Sequence, residues 1–237
     1  FAHFCGVVAA RYPDVKHFLV WNEMDGFISG SNWSSPCPTM SMDGPKYTTL
    51  FKKVARAVKA RNPHARVGGP YVPISSAQCA PGTHGEVSGA WGAVNEGVLS
   101  FIRYFVQHAA GDFDFFALDG HLAYRAEHIN GSSYKPPATD DPMNATGIFP
   151  AITRWIRKRS GLPTSIPIWW SEMYPVPCHD TTAYGPSDKV WPVDEQIAVF
   201  TKAMEEISAP ELGVEVFLNW GAQVNSNCFV AMYNDTA

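Results

Sequence analysis

Short apolar runs alternate along this chain with stretches in which apolar residues recur every three or four positions. Five runs read as buried strands, at 17–22, 65–69, 114–119, 166–171 and 215–220, because they are short and rich in β-branched or aromatic residues. Between them the spacing predicts helices. Residues 46–61 place Leu50, Val54, Ala57 and Val58 on one face and stop at the breaker pair Asn62-Pro63. Residues 94–110, 145–160 and 193–208 follow the same pattern, and residues 2–11 predict an opening helix that ends near Tyr12-Pro13. Strand and helix in alternation predict an α/β fold with a parallel sheet.

The segments after the strands, 24–44, 70–92, 120–143 and 173–191, are long and rich in Gly, Pro, Ser and Trp, whereas those before the strands are short. That asymmetry puts variable material at the C-terminal strand ends, where (β/α)8 TIM-barrel enzymes build their sites. An open doubly wound sheet would also alternate, but no Gly-x-Gly-x-x-Gly follows a strand and no Gly-x-x-x-x-Gly-Lys-Ser/Thr occurs. A closed barrel needs eight strands and roughly 250 residues. The expectation is therefore one domain over 1–237, a partial TIM barrel of about five parallel strands with the first three absent. A complete open sheet is the alternative. A partial barrel would leave two unpaired strand edges, an opening for self-association.

Composition narrows the class of partner. Hydrophobic residues at 46% against 17% charged argue against disorder. A net charge of -4 without a basic run argues against nucleic acid or an anionic membrane, and no apolar stretch approaches the ~20 residues that span a bilayer. Of five Cys, four (Cys37, Cys79, Cys178 and Cys228) sit among Pro, Ser, Gly and Asn. Loop cysteines of this kind suit disulfides and a secreted or extracellular protein, with reduced thiols as the alternative. Eight His are present, yet no His-Glu-x-x-His, and no Gly-x-Ser-x-Gly elbow occurs.

The chemistry rests on two carboxylates. Glu23 follows the first strand and Glu172 the fourth, each beside Trp and a small polar residue. A single strand-end Glu reads equally well as a salt-bridge partner or cap. Two at matched positions converge on one mouth if the strands form a parallel barrel. Glycosidic cleavage needs such a pair, one carboxyl protonating the leaving oxygen while the other stabilises or attacks the oxocarbenium-like centre. Asp25, Asp119 and Asp180 could bind hydroxyls, though loop Asp residues usually cap or turn. Trp33 and Trp91 are weak platform candidates, while Trp21, Trp169 and Trp170 are expected to pack.

Trp21-Asn22-Glu23 resembles the Asn-Glu at the end of the fourth barrel strand in clan A glycoside hydrolases, and Ser171-Glu172 the nucleophile at the end of the seventh. Val67-Gly68-Gly69-Pro70 is similar to the fifth strand of glycoside hydrolase family 39, Asp119-Gly120-His121 through Tyr124 to its sixth, and Phe217-Leu218-Asn219-Trp220 to an eighth. Met24 departs from the Pro that many relatives carry there. The resemblance implies a retaining O-glycoside hydrolase in which Glu23 is the acid/base and Glu172 the nucleophile. It implies that Asn22 bonds the sugar 2-hydroxyl, that His121 and Tyr124 hold Glu172 or a hydroxyl, and that Trp220 stacks on a sugar face. The partner would be a carbohydrate, with no cofactor required. The rival readings are a non-catalytic carbohydrate-binding barrel and an inactive fragment of such an enzyme.

Overall fold

The computed structural model describes residues 1–24, 26–32, 37, 39–75, 79, 82–121, 124–125, 134–135, 142–174 and 193–219. The chain begins with α1 (Ala2–Arg11), β1 (His17–Leu19), β2 (Ile28–Asn32), β3 (Thr39–Met42) and α2 (Gly44–Arg61). It continues through β4 (Arg66–Ser75), β5 (Ser88–Gly89), β6 (Gly92–Ala93), α3 (Glu96–Ala109), β7 (Phe115–His121), β8 (Tyr124–Arg125) and β9 (Tyr134–Lys135). There follow α4 (Pro142–Ala145), α5 (Ile148–Arg159), β10 (Ile168–Tyr174), α6 (Val193–Ile207) and, after a 3-10 turn at Pro210–Leu212, β11 (Val214–Asn219).

One sheet runs in the order β1-β4-β7-β10-β11, every pairing parallel. The pairs β2–β3, β5–β6 and β8–β9 are antiparallel hairpins folded from the segments that follow β1, β4 and β7. In a flat sheet β4 and β11 would lie about 14 Å apart, three strand spacings. Yet Arg66 on β4 reaches Glu215 on β11 at 3.4 Å, and Glu215 also accepts from Trp169 Nε1 at 2.8 Å. The sheet is curled into a half-barrel, an incomplete (β/α) barrel.

The core lies on the convex side. Tyr47 and Phe51 of α2, Phe101 and Phe105 of α3, and Phe113 and Phe116 form a continuous aromatic layer, with ring centroids 5.0–6.4 Å apart. Edge-on and tilted pairs at this spacing add favourable quadrupole contacts to the buried area. Local signals set the helix starts. The Asp43 carboxylate accepts from Lys46 N at 2.9 Å with Pro45 in the first turn, and Asn95 accepts from Gly97 N at 2.9 Å. At the far end of α2 the Asn62 amide donates to Pro13 O and Val15 O, fastening the approach to β1.

The five strands appear where the apolar runs place them, but β4 continues to Ser75 and β10 to Tyr174, six and three residues beyond the expected ends. Pro70 and Pro73 have no backbone N–H to give to a ladder. They are tolerated because β1 stops at Leu19, opposite Gly68, so that later residues of β4 pair only with β7. The expected helix over 145–160 is two, α4 and α5, interrupted at Thr146-Gly147. Cys37 and Cys79 form a disulfide, as loop cysteines suggest, joining the segment after β1 to the segment after β4. Cys178 and Cys228 lie outside the described residues. No described helix is long and apolar enough to cross a membrane.

Arg157 fastens the opposite end of the sheet. Its guanidinium donates to the carbonyls of Pro163 and Ile166 ahead of β10 and of Leu212 and Gly213 ahead of β11, at 2.7–3.1 Å. Gly213 has φ +62°, and a Cβ there would collide with that guanidinium. Arg157→Ala leaves four carbonyls without this donor and should lower unfolding stability by about 2 kcal/mol. Urea denaturation measures it, and an unchanged midpoint would show that water replaces the side chain at no cost.

Candidate active site

The turn that carries Glu23 is assembled from the end of β1. Val20 N donates to Gly68 O at 3.0 Å, extending the ladder by one residue, and Val20 O accepts from the Tyr47 phenol at 2.9 Å. Gly69 has no side chain to obstruct Tyr47, and an added Cβ there would press on that hydroxyl and on Phe51. Beyond Val20 the backbone turns sharply. Trp21, Glu23 and Met24 take φ values of 77°, 44° and 61°. Left-handed conformations cost a side-chain-bearing residue of order 1–3 kcal/mol and persist only where the surroundings enforce them. Here a fully buried Met24 and the bond from Phe27 N to Met24 O, 2.9 Å, hold the turn. A proline, locked near φ -65°, could not occupy Met24's conformation. Glu23 is 8% exposed, whereas Asn22 points to solvent as an exposed residue.

Glu172 lies within β10 rather than after it. Side chains on a strand alternate between faces, and alternation from Trp169 would put Ser171 on the concave face and Glu172 on the convex one. A bulge between Trp170 and Glu172 shifts the phase, so that Trp169 pairs with Ala117, Trp170 with Leu118, and Glu172 with Asp119. Burial follows the shifted phase, because Ile168, Trp170 and Met173 are all fully buried. Glu172 therefore shares the concave face with Ala117 and Asp119.

A second bulge, between Pro70 and Val72 of β4, inserts Tyr71 with φ 58° into the same face. Tyr71 packs with Phe115, Ala117 and Trp169 in a small concave-face cluster and donates its phenolic hydrogen to Glu172 Oε2. Tyr71 had no place in the sequence reading. Its signal there is only an aromatic residue after Gly-Gly-Pro, and a left-handed tyrosine cannot be foreseen from periodicity. Burial pushes the Tyr71 phenol far above the usual tyrosine pKa. The Asp119 charge, the hydrogen bond to Glu172 and the charges of Glu172 and Glu23 push it the same way. Tyr71 thus bonds one of the two expected carboxylates and feels the charge of the other.

Asp119, the last residue of the expected strand 114–119 and a candidate for binding hydroxyls, sits inside β7 and is fully buried. His121 closes β7, in register with Ser75 and Tyr174, and Tyr124 opens β8 opposite Lys135. Trp220, Asp25, Asp180 and Trp33 lie outside the described residues. Trp91 is 4% exposed, a packing residue rather than a platform, and Trp170 and Trp169 pack as expected.

No family model matches the sequence, and no curated protein matches it either. Solved structures do resemble it. A monomeric beta-xylosidase from Caulobacter crescentus CB15 matches over 92% of this chain at 18% identity and a TM-score of 0.51, and a GH39 enzyme from Xanthomonas axonopodis pv. citri matches equally well. A Paenibacillus polymyxa xyloglucanase of family 44 matches over 96% at 13% identity and a TM-score of 0.53. This chain spans 37% of the first two proteins and 47% of the third. The likeness is one of fold: this chain matches part of the barrel of each of these proteins.

Tyrosines ionise near pH 10 when unfolded, whereas burial raises both Tyr47 and Tyr71 in the folded chain. Because the folded values lie above the unfolded one, their contribution to stability is complete below about pH 10 and is lost as the pH rises further. A phenolate absorbance titration run beside far-UV circular dichroism should show two phenols ionising only with alkaline unfolding. Full ionisation near pH 10 of a folded chain would contradict this burial.

Proposed function

We propose that this chain carries the catalytic pair of a retaining O-glycoside hydrolase acting on a plant or microbial glycan or a small glycoside. The observation that carries the reading is the hydrogen bond from Tyr71 to Glu172 on the concave face, with Glu23 nearly buried just past the end of the neighbouring β1 and its charge felt at the Tyr71 phenol. In the first step Glu172 attacks the anomeric carbon while Glu23 gives its proton to the departing oxygen, forming a glycosyl ester. In the second, Glu23 takes a proton from water, which attacks the same carbon and frees Glu172. The Tyr71 hydrogen bond fixes one oxygen of Glu172. Glu23, nearly buried just past the end of β1, is the group assigned to give that proton.

Asn22, His121, Tyr124 and Trp220 complete the reading as sugar contacts: Asn22 to the 2-hydroxyl, His121 and Tyr124 to Glu172 or a hydroxyl, Trp220 as a stacking platform. The Cys37–Cys79 disulfide favours an oxidising compartment, hence a secreted protein. Aryl glycosides, with the product anomer followed by NMR, test the proposal. Glu172→Gln should abolish turnover, and Glu23→Gln should slow release of a poor leaving group by about 10²–10⁴-fold. Retention of anomeric configuration is expected. Sugar binding with no turnover in the unmutated protein would favour a carbohydrate-binding barrel instead, and full turnover in Glu172→Gln would remove the nucleophile assignment.

A further inference from the structure

The overall negative balance of the chain conceals a basic cluster on α5, where four of the six residues from 154 to 159 are Arg or Lys. Arg157 is taken up by the carbonyls ahead of β10 and β11. Arg154, Lys158 and Arg159 are exposed and, among the described residues, enter no ion pair. With Ala151 and Trp155 they recur at the i, i+3, i+4, i+7, i+8 spacing that marks one face of a helix. That face looks across a groove of about 250 Å³ to Val87 and Ser88 at the start of the β5–β6 hairpin. The walls are fixed by polar contacts. Glu86 receives the Trp155 indole N–H at 2.8 Å on one oxygen and Arg103 on the other, and Arg103 lies over the Trp155 ring. Hydrogen bonds from Arg103 and Trp155, with the charges of Arg103 and Arg159, hold the Glu86 carboxyl below its ordinary pKa. Glu96 is close by, accepting from Glu86 N at 3.2 Å. Even so, Arg103, Arg154, Lys158 and Arg159 outnumber the two carboxylates. Lys158 and Arg159 also suit the last turn of a helix, but Arg154 lies a turn earlier and the facing hairpin serves no such purpose.

Resting on the glycosidase reading only for the choice of a glycan among anions, we infer that this groove is a second carbohydrate site, which seats a carboxylate-bearing sugar residue of an acidic glycan. Arg154 and Arg159 offer planar N–H forks that match a carboxylate, and Lys158 adds a point charge. Ser88 Oγ donates to Gly85 O at 3.1 Å, so its lone pairs are left to accept from a sugar hydroxyl. The groove is smaller than the pockets of about 300–1,000 Å³ that enclose drug-sized ligands, so it takes one sugar residue while the rest of the glycan runs along the surface. A nucleic acid would meet the negative remainder of the chain on either side of so small a patch. The helix α5 packs on the convex side of the sheet, through Phe149 against Trp170, whereas Glu172 faces the concave side. A glycan held here is therefore tethered to the protein without occupying the candidate active site, which raises its local concentration there.

Calorimetric titration with tetragalacturonate tests the site, with xylotetraose, inorganic phosphate and a single-stranded DNA tetramer as comparisons. Tetragalacturonate should bind, and raising NaCl from about 50 to about 200 mM should weaken that binding. Arg154→Ala combined with Lys158→Ala should weaken it about tenfold or more, while Lys158→Arg, which keeps the charge, retains it. The double variant should leave xylotetraose binding and the hydrolysis of a small aryl glycoside as they were. If the double variant does not fold, Arg154→Ala alone carries the measurement. The site is overturned by no binding of tetragalacturonate, by binding that the double variant leaves intact, or by equal weakening of xylotetraose. Tighter binding of phosphate or of the DNA tetramer overturns the acidic glycan as its ligand. The titration is read without turnover. A protein that hydrolyses no glycoside yet binds tetragalacturonate through Arg154 and Lys158 loses the catalytic reading and keeps this site.

Discussion

Side chains on a strand alternate between its faces, and the two strands that build the candidate site each depart from that rule once. On β10 the departure lies between Trp170 and Glu172, and on β4 it lies between Pro70 and Val72. Without the first, Glu172 would point into the helix layer, where a carboxylate would be stranded among Trp170, Phe149 and Ile152. Without the second, Tyr71 would have no route to the concave face. The chain keeps an unbroken apolar surface for its helices and also presents polar groups to the hollow of the sheet, and the extra residues reconcile the two demands. Bulges beside reactive residues commonly re-aim a side chain in this way.

The fold was largely legible because a parallel sheet covered on one face and curled on the other still needs apolar runs. The runs at 114–119 and 166–171 announce β7 and β10 to within a few residues. What stayed hidden has definite causes. The length of β4 was masked by Pro70 and Pro73, whose tolerance depends on β1 ending early, a fact of neighbours rather than of local sequence. Glu23 and Glu172 could be located from their strands, but the partner that bonds Glu172 could not. Tyr71 adopts a conformation that its own side chain disfavours, and Asp119 is chemically indistinguishable in sequence from the many aspartates that cap and turn. Trp220 falls outside the described residues, so that expectation rests on resemblance alone.

The backbone around Glu23 illustrates how neighbouring elements impose local geometry. Among the described residues, four other than glycine have left-handed φ, Trp21, Glu23, Met24 and Tyr71, and all four border the candidate site. Each conformation is held from outside: Tyr47 grips Val20 O, Met24 is sealed in the core, and Tyr71 is wedged against Phe115 and Trp169. The helix layer thereby reaches the candidate site indirectly, since Tyr47 of α2 fixes the departure point of the turn that presents Glu23.

The aromatic layer of Tyr47, Phe51, Phe101, Phe105, Phe113 and Phe116 lies on the convex side, and the carboxylates and hairpins lie on the other side or beyond its rim. Heritable variation therefore has two nearly separate targets. Replacements behind the sheet are filtered by whether the chain folds, while replacements in the hairpins at its rim are filtered by what the protein encounters. A lineage built on this plan can drift from one ligand to another without first passing through an unfolded ancestor.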